Sequence, residues 1–370
     1  MNSPSSPARF LDFARLNALI KALQSAGYRC MGPGVENDGI VFRELANAAN
    51  LPRGLQAEQT PGQFKLSRDP QNRYFAWTSG PQAIKPFVFA PHESLWQTRR
   101  DDQGVLRFEP LAPQPVKTAL IGVRACDLAA LALQDSHFLE SKYSDASYAT
   151  RRKSLFLVAV QCAEPATTCF CASTGDGPTP QSGFDLSLVE LADGFLVSAG
   201  SEAGREVLSA LDLKEASPEQ IQAGREQAEA AARKQSRSLP SRDLRSVLMN
   251  NLEHARWDDV ATRCLSCGNC TAVCPTCFCH AHMDEPDAAT GESRHVRQWD
   301  SCFNEGHAYI HGHNVRPDTR TRYRQWLVHK LAAWHDQYGR SGCVGCGRCI
   351  TWCPAGIDLT EEIAAMKGAA

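Results

Sequence analysis

The sequence has no excess of charge of either sign and no long apolar run. Its 39 lysine and arginine residues are balanced by 41 aspartate and glutamate residues, which leaves a formal net charge of −2. A protein that binds nucleic acid or an anionic membrane surface is expected to carry a basic excess. No stretch has the length of a membrane span, and the first residues lack the apolar run of a signal peptide. The sequence therefore predicts a cytoplasmic protein that binds neither nucleic acid nor a membrane.

Motifs for nucleotide binding and for hydrolytic metal sites are also absent. No GxGxxG follows a predicted strand, no P-loop occurs, and the 11 histidines form no HExxH. His307, His311 and His313 lie close together in GHAYIHGHN. Without a carboxylate pattern beside them, they are interpreted as polar loop residues in preference to metal ligands. The sequence therefore predicts no hydride chemistry by this chain alone.

Cysteine, in contrast, is abundant and unevenly distributed. Of 16 cysteines, 11 lie between Cys264 and Cys353. A reducing cytosol does not favour structural disulfides, so dense and regularly spaced cysteines indicate metal or redox chemistry. Near residue 240 the pattern also changes from alternating apolar runs and helices to mainly helical segments. These features predict two domains, at 1–240 and 241–370.

The N-terminal domain has the pattern of an α/β fold. Continuous apolar runs at 117–123 and 154–160 are typical of buried parallel strands, and the segment between them has helix formers and an apolar face. They predict a βαβ unit in a partly parallel sheet. Shorter apolar runs at 39–45, 86–91 and 194–200 predict further strands. Ser217 and Gln220 form a capping box that predicts a polar helix over 217–235, between the two domains.

Two cysteine runs repeat the spacing CxxCxxCxxxCP. In a bacterial ferredoxin, the first three cysteines of such a run bind one [4Fe–4S] cluster and the fourth binds the other cluster. The spacing predicts a first cluster bound by Cys264, Cys267, Cys270 and Cys353. It predicts a second cluster bound by Cys343, Cys346, Cys349 and Cys274. Two zinc knuckles are the alternative, but zinc takes ligand pairs that are separated by a longer spacer.

The two runs are too far apart for the compact, β-rich ferredoxin module. Between them lies a helical pattern that ends at Gly339 and whose apolar face is formed by Leu327, Leu331, Trp334 and Tyr338. The C-terminal domain is therefore expected to be an all-α helical ferredoxin. Basic residues of this segment either balance cluster charge or form a solvated face: Arg320, Arg322, Arg324 and Lys330.

Further cysteines lie outside the two runs, and the tetrapeptide TCFC occurs at both 168–171 and 276–279. Cys126 and Cys162 each follow a predicted parallel strand, so both are expected at one edge of the sheet. Cys126 also precedes a helix start, which favours the thiolate by lowering the thiol pKa. We predict a third [4Fe–4S] cluster bound by Cys126, Cys162, Cys169 and Cys171, with Asp127 as a substitute ligand.

Three other cysteines are alternative ligands: Cys277, Cys279 and Cys302. They could replace some of the N-terminal ligands of the third cluster, or hold a fourth cluster with a non-cysteine ligand such as His280. The simplest alternative for all seven additional cysteines is that they are small apolar residues of the core.

Six segments together resemble a known family: GVRACDLAAL (122–131), CFCASTGDGP (169–178), RCLSCGNCTAVCPTCFC (263–279), WDSC (299–302), RYRQWLVHK (322–330) and GCVGCGRCITWCPAGID (342–358). The sequence resembles the iron–sulfur beta subunit of soluble sulfhydrogenases, which are group 3b [NiFe]-hydrogenases. It is also similar to the related electron-transfer subunit of anaerobic sulfite reductase. The ferredoxin motifs alone are unspecific, whereas their combination with the other segments is specific for this wider family.

The resemblance implies a non-catalytic subunit that carries electrons between the small subunit of the hydrogenase and a flavin/NAD(P)H subunit. Flavin and NADP are then expected on the partner subunit, and nickel in the hydrogenase large subunit, whose paired CxxC motifs this chain lacks. The electron-transfer subunit of an anaerobic sulfite reductase is one alternative, and a non-redox module with structural clusters is another. A flavin or nucleotide bound at the strand ends of the α/β domain is a further alternative.

Overall fold

The computed structural model describes residues 8–78, 80–82, 84–239 and 244–367. Its strands, in chain order, are β1 (Arg9–Asp12), β2 (Arg29–Glu36), β3 (Gly39–Glu44), β4 (Leu55–Thr60), β5 (Gln63–Arg68), β6 (His92–Arg100), β7 (Leu106–Pro110), β8 (Thr118–Val123), β9 (Leu155–Val160), β10 (Leu186–Glu190), β11 (Gly194–Ala199), β12 (Lys214–Glu215), β13 (His280–Pro286), β14 (Ser293–Trp299), β15 (Tyr309–Ile310) and β16 (His313–Asn314). Its helices are α1 (Leu16–Ser25), α2 (Lys85–Val88), α3 (Ala125–Phe138), α4 (Ala146–Lys153), α5 (Cys171–Thr174), α6 (Glu202–Ser209), α7 (Pro218–Arg233), α8 (Leu244–Met249), α9 (Arg256–Arg263), α10 (Asn269–Ala272), α11 (Thr319–Val328), α12 (Trp334–Tyr338), α13 (Arg348–Thr351) and α14 (Leu359–Lys367).

An eight-stranded mixed sheet organises the N-terminal region, in the order β12-β1-β11-β10-β9-β8-β2-β3. Its central strands β2, β8, β9 and β10 are parallel to one another. Every residue of β8 is buried, because α1 and α6 cover one face of the sheet while α3 and α4 cover the other. Strand β8, helix α3 and strand β9 therefore confirm the predicted βαβ unit and the partly parallel sheet.

Helix α7 begins with the predicted capping box, since the Ser217 hydroxyl accepts from Gln220 N and the Gln220 amide oxygen accepts from Ser217 N. The helix packs on the sheet through Gly224 and Ala231, which are its buried residues. It is the segment after the helix that reaches the C-terminal region, where Arg237 pairs with Asp358 at 2.5 Å.

The strand predicted over 86–91 is wrong. Residues Lys85–Val88 form helix α2, because Pro86 stands in its first turn, where a proline has no amide hydrogen to lose. The same turn buries the side chain of Lys85 in the interior of the protein.

The C-terminal region is helical around the cysteines, but the all-α expectation needs correction. Strands β13 and β14 form a hairpin, and β14 pairs with β6 from the N-terminal region in the four-stranded sheet β13-β14-β6-β7. The hairpin is largely polar, so its sequence lacks the apolar alternation of a half-buried strand. Its pairing depends on the free edge of β6, which lies almost two hundred residues earlier in the chain.

The helical pattern before the second cysteine run is confirmed, with one irregularity. Helix α11 continues through a π-helical turn over His329–Ala333 into α12, which ends at Gly339 with a φ of 72°. Leu327, Leu331 and Trp334 are buried on the predicted face. Within the described residues, no helix has both the length and the apolar character needed to cross a membrane.

Candidate iron–sulfur sites

The first cysteine group consists of Cys264, Cys267, Cys270 and Cys353. Helix α9 ends just before Cys264, and Gly268, with a φ of 75°, turns the chain into α10. Burial raises the pKa of the Cys270 thiol well above its usual value, and the neighbouring thiols of Cys264 and Cys353 raise it further. The structure therefore brings Cys353, from the second run, to the first three cysteines of the first run.

The second cysteine group consists of Cys343, Cys346, Cys349 and Cys274. Its loop turns at Gly345 and Gly347, which have φ values of 62° and 72° and lead into α13. Burial raises the pKa of the Cys349 thiol, and the thiols of Cys343, Cys346 and Cys274 lie near enough to raise it further. Cys274 thus lies among the cysteines of the other run, in the crossed arrangement of ferredoxins.

The spacing within these groups differs from that of a site for a single ion. Among the described residues, no three His, Cys, Asp or Glu side chains are arranged to hold one metal ion. A [4Fe–4S] cluster binds each thiolate at a different iron corner, so its ligands stand farther apart. The residues present fit a cluster in this respect.

The first cysteine group lies nearer the protein surface than the second. An apolar cavity beside the first group is walled by Phe303, Tyr323, Trp326 and Ile357. At its rim Cys267 is exposed and the side chain of Leu265 is 66% exposed. In the second group, Cys343 and Cys346 are buried. A bound cluster would therefore be closer to solvent, and to any partner, in the first group.

The third cysteine group consists of the four N-terminal cysteines that the sequence predicts as ligands: Cys126, Cys162, Cys169 and Cys171. All four are buried. Burial raises the pKa of the Cys169 thiol well above its usual value, and the neighbouring thiols of Cys162 and Cys171 raise it further. Cys126 and Cys171 also pack against Cys346, so this group adjoins the second one.

Close backbone contacts hold the third group against the loop of the second. Phe170 N donates to Gly345 O at 2.8 Å, and the hydroxyls of Thr168 and Thr351 lie 2.8 Å apart. A Cβ atom at Gly345 would lie 2.5 Å from Cys171 N, and one at Gly347 would lie 2.4 Å from Thr168 O. Glycine is therefore required at both positions, because the two segments approach each other closely there and because φ is positive.

Two expectations about the third group need correction. The pKa of the Cys126 thiol is raised well above its usual value and not lowered, because burial and the adjacent Asp127 outweigh the start of α3. Asp127 is engaged by a buried ion pair, 2.8 Å from Arg348 Nη1. An iron ion would supply the positive charge that deprotonates such buried thiols.

The remaining three cysteines, Cys277, Cys279 and Cys302, also have close neighbours. Cys277 interacts with Cys274, and Cys279 interacts with Cys302 and with His307. His280, the non-cysteine ligand considered from the sequence, has its Nδ1 3.0 Å from Phe278 O, and its ring packs against Phe89 and His282. The sequence interpretation of His307 as a polar loop residue missed this contact, because its neighbours come from distant segments.

Of the four basic residues considered for charge balance, only Lys330 is buried near thiols. Its neighbours include Cys274, Cys277 and Cys343. The others have partners elsewhere: Arg320 and Arg324 pair with Glu253, and Arg322 donates to backbone carbonyls.

Comparison with known proteins agrees with this geometry. Residues 263–357 match the family model of the 4Fe-4S dicluster domain, which defines the chain as an iron–sulfur protein with a ferredoxin-type domain. Over 282 residues the chain is 37% identical to the sulfhydrogenase 2 subunit beta of Pyrococcus furiosus, and the match covers 75% of this chain and 81% of that protein. The chain therefore belongs to the family of sulfhydrogenase beta subunits. No solved structure matches it.

Proposed function

We propose that this chain relays electrons between the small subunit of a cytoplasmic [NiFe]-hydrogenase and a flavin/NAD(P)H-binding subunit. The observation that carries the proposal is the pair of crossed cysteine groups, one more deeply buried and one nearer the surface, within a chain of the sulfhydrogenase beta subunit family. The name of the Pyrococcus protein supports hydrogenase partners over a sulfite reductase complex. Flavin and NADP would be bound by the partner subunit, and nickel by the hydrogenase large subunit.

In this proposal, each of the first two groups binds one [4Fe–4S] cluster, and the bound cluster supplies one-electron chemistry. Cys353 and Cys274 cross between the runs, which ties the two sites into one rigid unit. The glycine turns let the backbone approach the inorganic sulfides. Burial of Cys343 and Cys346 would limit contact of the second cluster with solvent and so favour electron exchange with neighbouring centres.

The third group would bind a third [4Fe–4S] cluster in the α/β region. Its four buried thiols converge beside Cys346, and Arg348 lies between the two sites with its charge near Cys126 and Cys346. This guanidinium is paired with Asp127 at 2.8 Å and would in addition lie beside the negative charge of both clusters. The relay would then extend from the surface rim at Leu265, through the second site, into the α/β region.

The test is to produce the chain together with the hydrogenase large and small subunits and the flavin subunit. The complex should reduce NADP with H2, and Cys346→Ser should abolish that activity while H2-dependent reduction of a dye by the hydrogenase subunits persists. As a matched control, Cys30→Ser should retain both activities. Cys30 is buried under α1 and its thiol lies 3.8 Å from Ile20 O.

The isolated chain, without its partner subunits, provides a second test. It should accept electrons from dithionite and give the EPR signal of interacting reduced clusters. It should not oxidise NADPH or H2, because these need a hydride acceptor or nickel. Robust NADPH oxidation by the isolated chain, or full H2-dependent NADP reduction in the Cys346→Ser complex, would contradict the proposal.

A further inference from the structure

A fourth group of cysteine and histidine side chains lies beside the first cysteine group, outside both ferredoxin-type runs. It consists of Cys277, Cys279, Cys302 and His307. The Cys279 thiol interacts with both Cys302 and His307, and Cys277 lies near Cys279. Cys277 and Cys302 are buried, and Cys279 is partly buried. Cys277 and Cys279 come from one segment of the chain, and Cys302 and His307 come from another. Local chain geometry therefore does not explain why these side chains lie together.

The histidine of this group is oriented as metal-bound histidines are. His307 Nδ1 lies 2.5 Å from Asp300 Oδ2, and since a carboxylate can only accept, Nδ1 carries the hydrogen. Asp300 is itself fixed by a hydrogen bond from the Asn304 amide. The other ring nitrogen, Nε2, is then left for the contact with the Cys279 thiol, which is the side from which an imidazole would bind a metal held by that thiol. A carboxylate that holds the far side of the ring in this way is a common feature of metal sites.

Two buried lysines next to this group have positive charges that need a nearby negative charge. Lys85 and Lys330 are each only 4% exposed, and neither forms an ion pair with a carboxylate of the described residues. Lys85 Nζ donates to Ala272 O at 3.1 Å and lies 3.7 Å from the centre of the Trp299 ring. Lys330 Nζ donates to Thr276 Oγ1 at 2.8 Å. Hydrogen bonds to neutral oxygens do not balance a buried charge.

The nearest anionic centres available to both lysines are cysteine thiols. Lys85 has Cys277, Cys274 and Cys279 as electrostatic neighbours. Lys330 has Cys274 and Cys277 as neighbours, through the π-helical turn that directs it inward. Thiolates bound to iron at these positions would place negative charge beside both buried ammonium groups.

We propose that Cys277, Cys279, Cys302 and His307 bind a further [4Fe–4S] cluster, with Asp300 holding the imidazole and the two lysines balancing the charge. The site faces a cavity that Lys85, Cys277, Cys279 and Asp300 share with Cys267 of the first cysteine group. Cys302 is in addition an electrostatic neighbour of Cys270. The cluster would therefore be a one-electron centre adjacent to the first one.

The first test measures iron and sulfide in the full chain after anaerobic reconstitution. Cys277→Ser/Cys302→Ser should lose about four iron atoms relative to the wild-type chain. Cys30→Ser is the control and should lose none. An unchanged iron content in the double variant would overturn the proposal.

A second test decides the case in which the double variant loses more iron because neighbouring sites collapse. In the wild-type chain labelled with 15N-histidine, pulsed EPR of the reduced protein should show coupling of one cluster to an imidazole nitrogen. His307→Cys should retain the iron content, remove this coupling and lower the potential of one cluster, since imidazole ligands raise cluster potentials relative to thiolates. Absence of a nitrogen coupling in the wild-type chain, or its persistence in His307→Cys, would overturn the proposal. The electron relay proposed above stands or falls separately, because its test uses Cys346.

Discussion

Substitution of Gly345 by alanine tests how closely the α/β region holds the second cysteine group. The residue has a φ of 62°, where an L-amino acid costs about 1–2 kcal/mol. Its added Cβ would also lie 2.5 Å from Cys171 N and 2.6 Å from Cys171 Cα, so backbone on one side must move. Overpacking of this kind costs about 1–3 kcal/mol more. We expect Gly345→Ala to destabilise the protein by about 2–5 kcal/mol in all.

Gly339→Ala separates the two contributions. Gly339 has a φ of 72°, but a Cβ added there meets no atom within 4 Å. It should therefore incur only the conformational cost of about 1–2 kcal/mol. Thermal unfolding followed by the visible absorption of the clusters should give a midpoint for Gly345→Ala that lies roughly 1–4 °C below that of Gly339→Ala. Equal midpoints would refute the close approach of residues 168–171 to this loop.

Three further predictions concern the clusters and their partner. Cys353→Ala should damage the cluster built on the first run, and Cys274→Ala the one built on the second, as read from iron content and EPR; damage confined to each residue's own run would refute the crossed ligand sets. Leu265→Glu should slow electron exchange with the partner subunits and leave the iron content unchanged, because it places a charge on the exposed rim of the first site; an unchanged rate would show that the partner docks elsewhere. Lys330→Met should lower the reduction potential of an adjacent cluster, because a buried ammonium favours the more negative, reduced state. The control Lys142→Met changes an exposed lysine and should leave all potentials unchanged, so equal potentials in the two variants would show that Lys330 does not act on a cluster.

The sequence predicts best those parts of the fold whose signals are local and strong. The runs that form β8 and β9, with α3 between them, are continuously apolar, which is typical of buried parallel strands, and both strands are buried in the structure. The capping box at Ser217 and the glycine end at Gly339 are equally local. Strands β13 and β14 could not be predicted in this way, because they are polar and their pairing is supplied by β6.

The same distinction applies to the candidate sites. The ferredoxin spacing specifies its ligand types and even the crossing of Cys353 and Cys274, since the geometry of a cubane dictates that spacing. By contrast, the contact between Cys279 and His307 depends on how separate segments fold together. Lys85 was missed because it stands just before the apolar run 86–91, which resembles a strand, whereas the structure has a helix over Lys85–Val88. The start of a helix at Cys126 indicates a lowered thiol pKa, and burial, together with the adjacent Asp127, reverses it.

The duplicated tetrapeptide TCFC has a structural explanation in the loop of the second cysteine group. Both threonines are fully buried and both bond to the segment around that loop: Thr168 to the Thr351 hydroxyl at 2.8 Å, and Thr276 to Gly342 O at 2.7 Å. Each threonine thereby fixes the two cysteines that follow it, one pair in the third group and one pair in the fourth. The second group therefore has other cysteine thiols as neighbours in two places: those of the third group near Cys346, and those of the fourth group near Cys274. A relay needs neighbouring one-electron centres, whereas cysteines serving only as core residues have no need to adjoin the same loop twice.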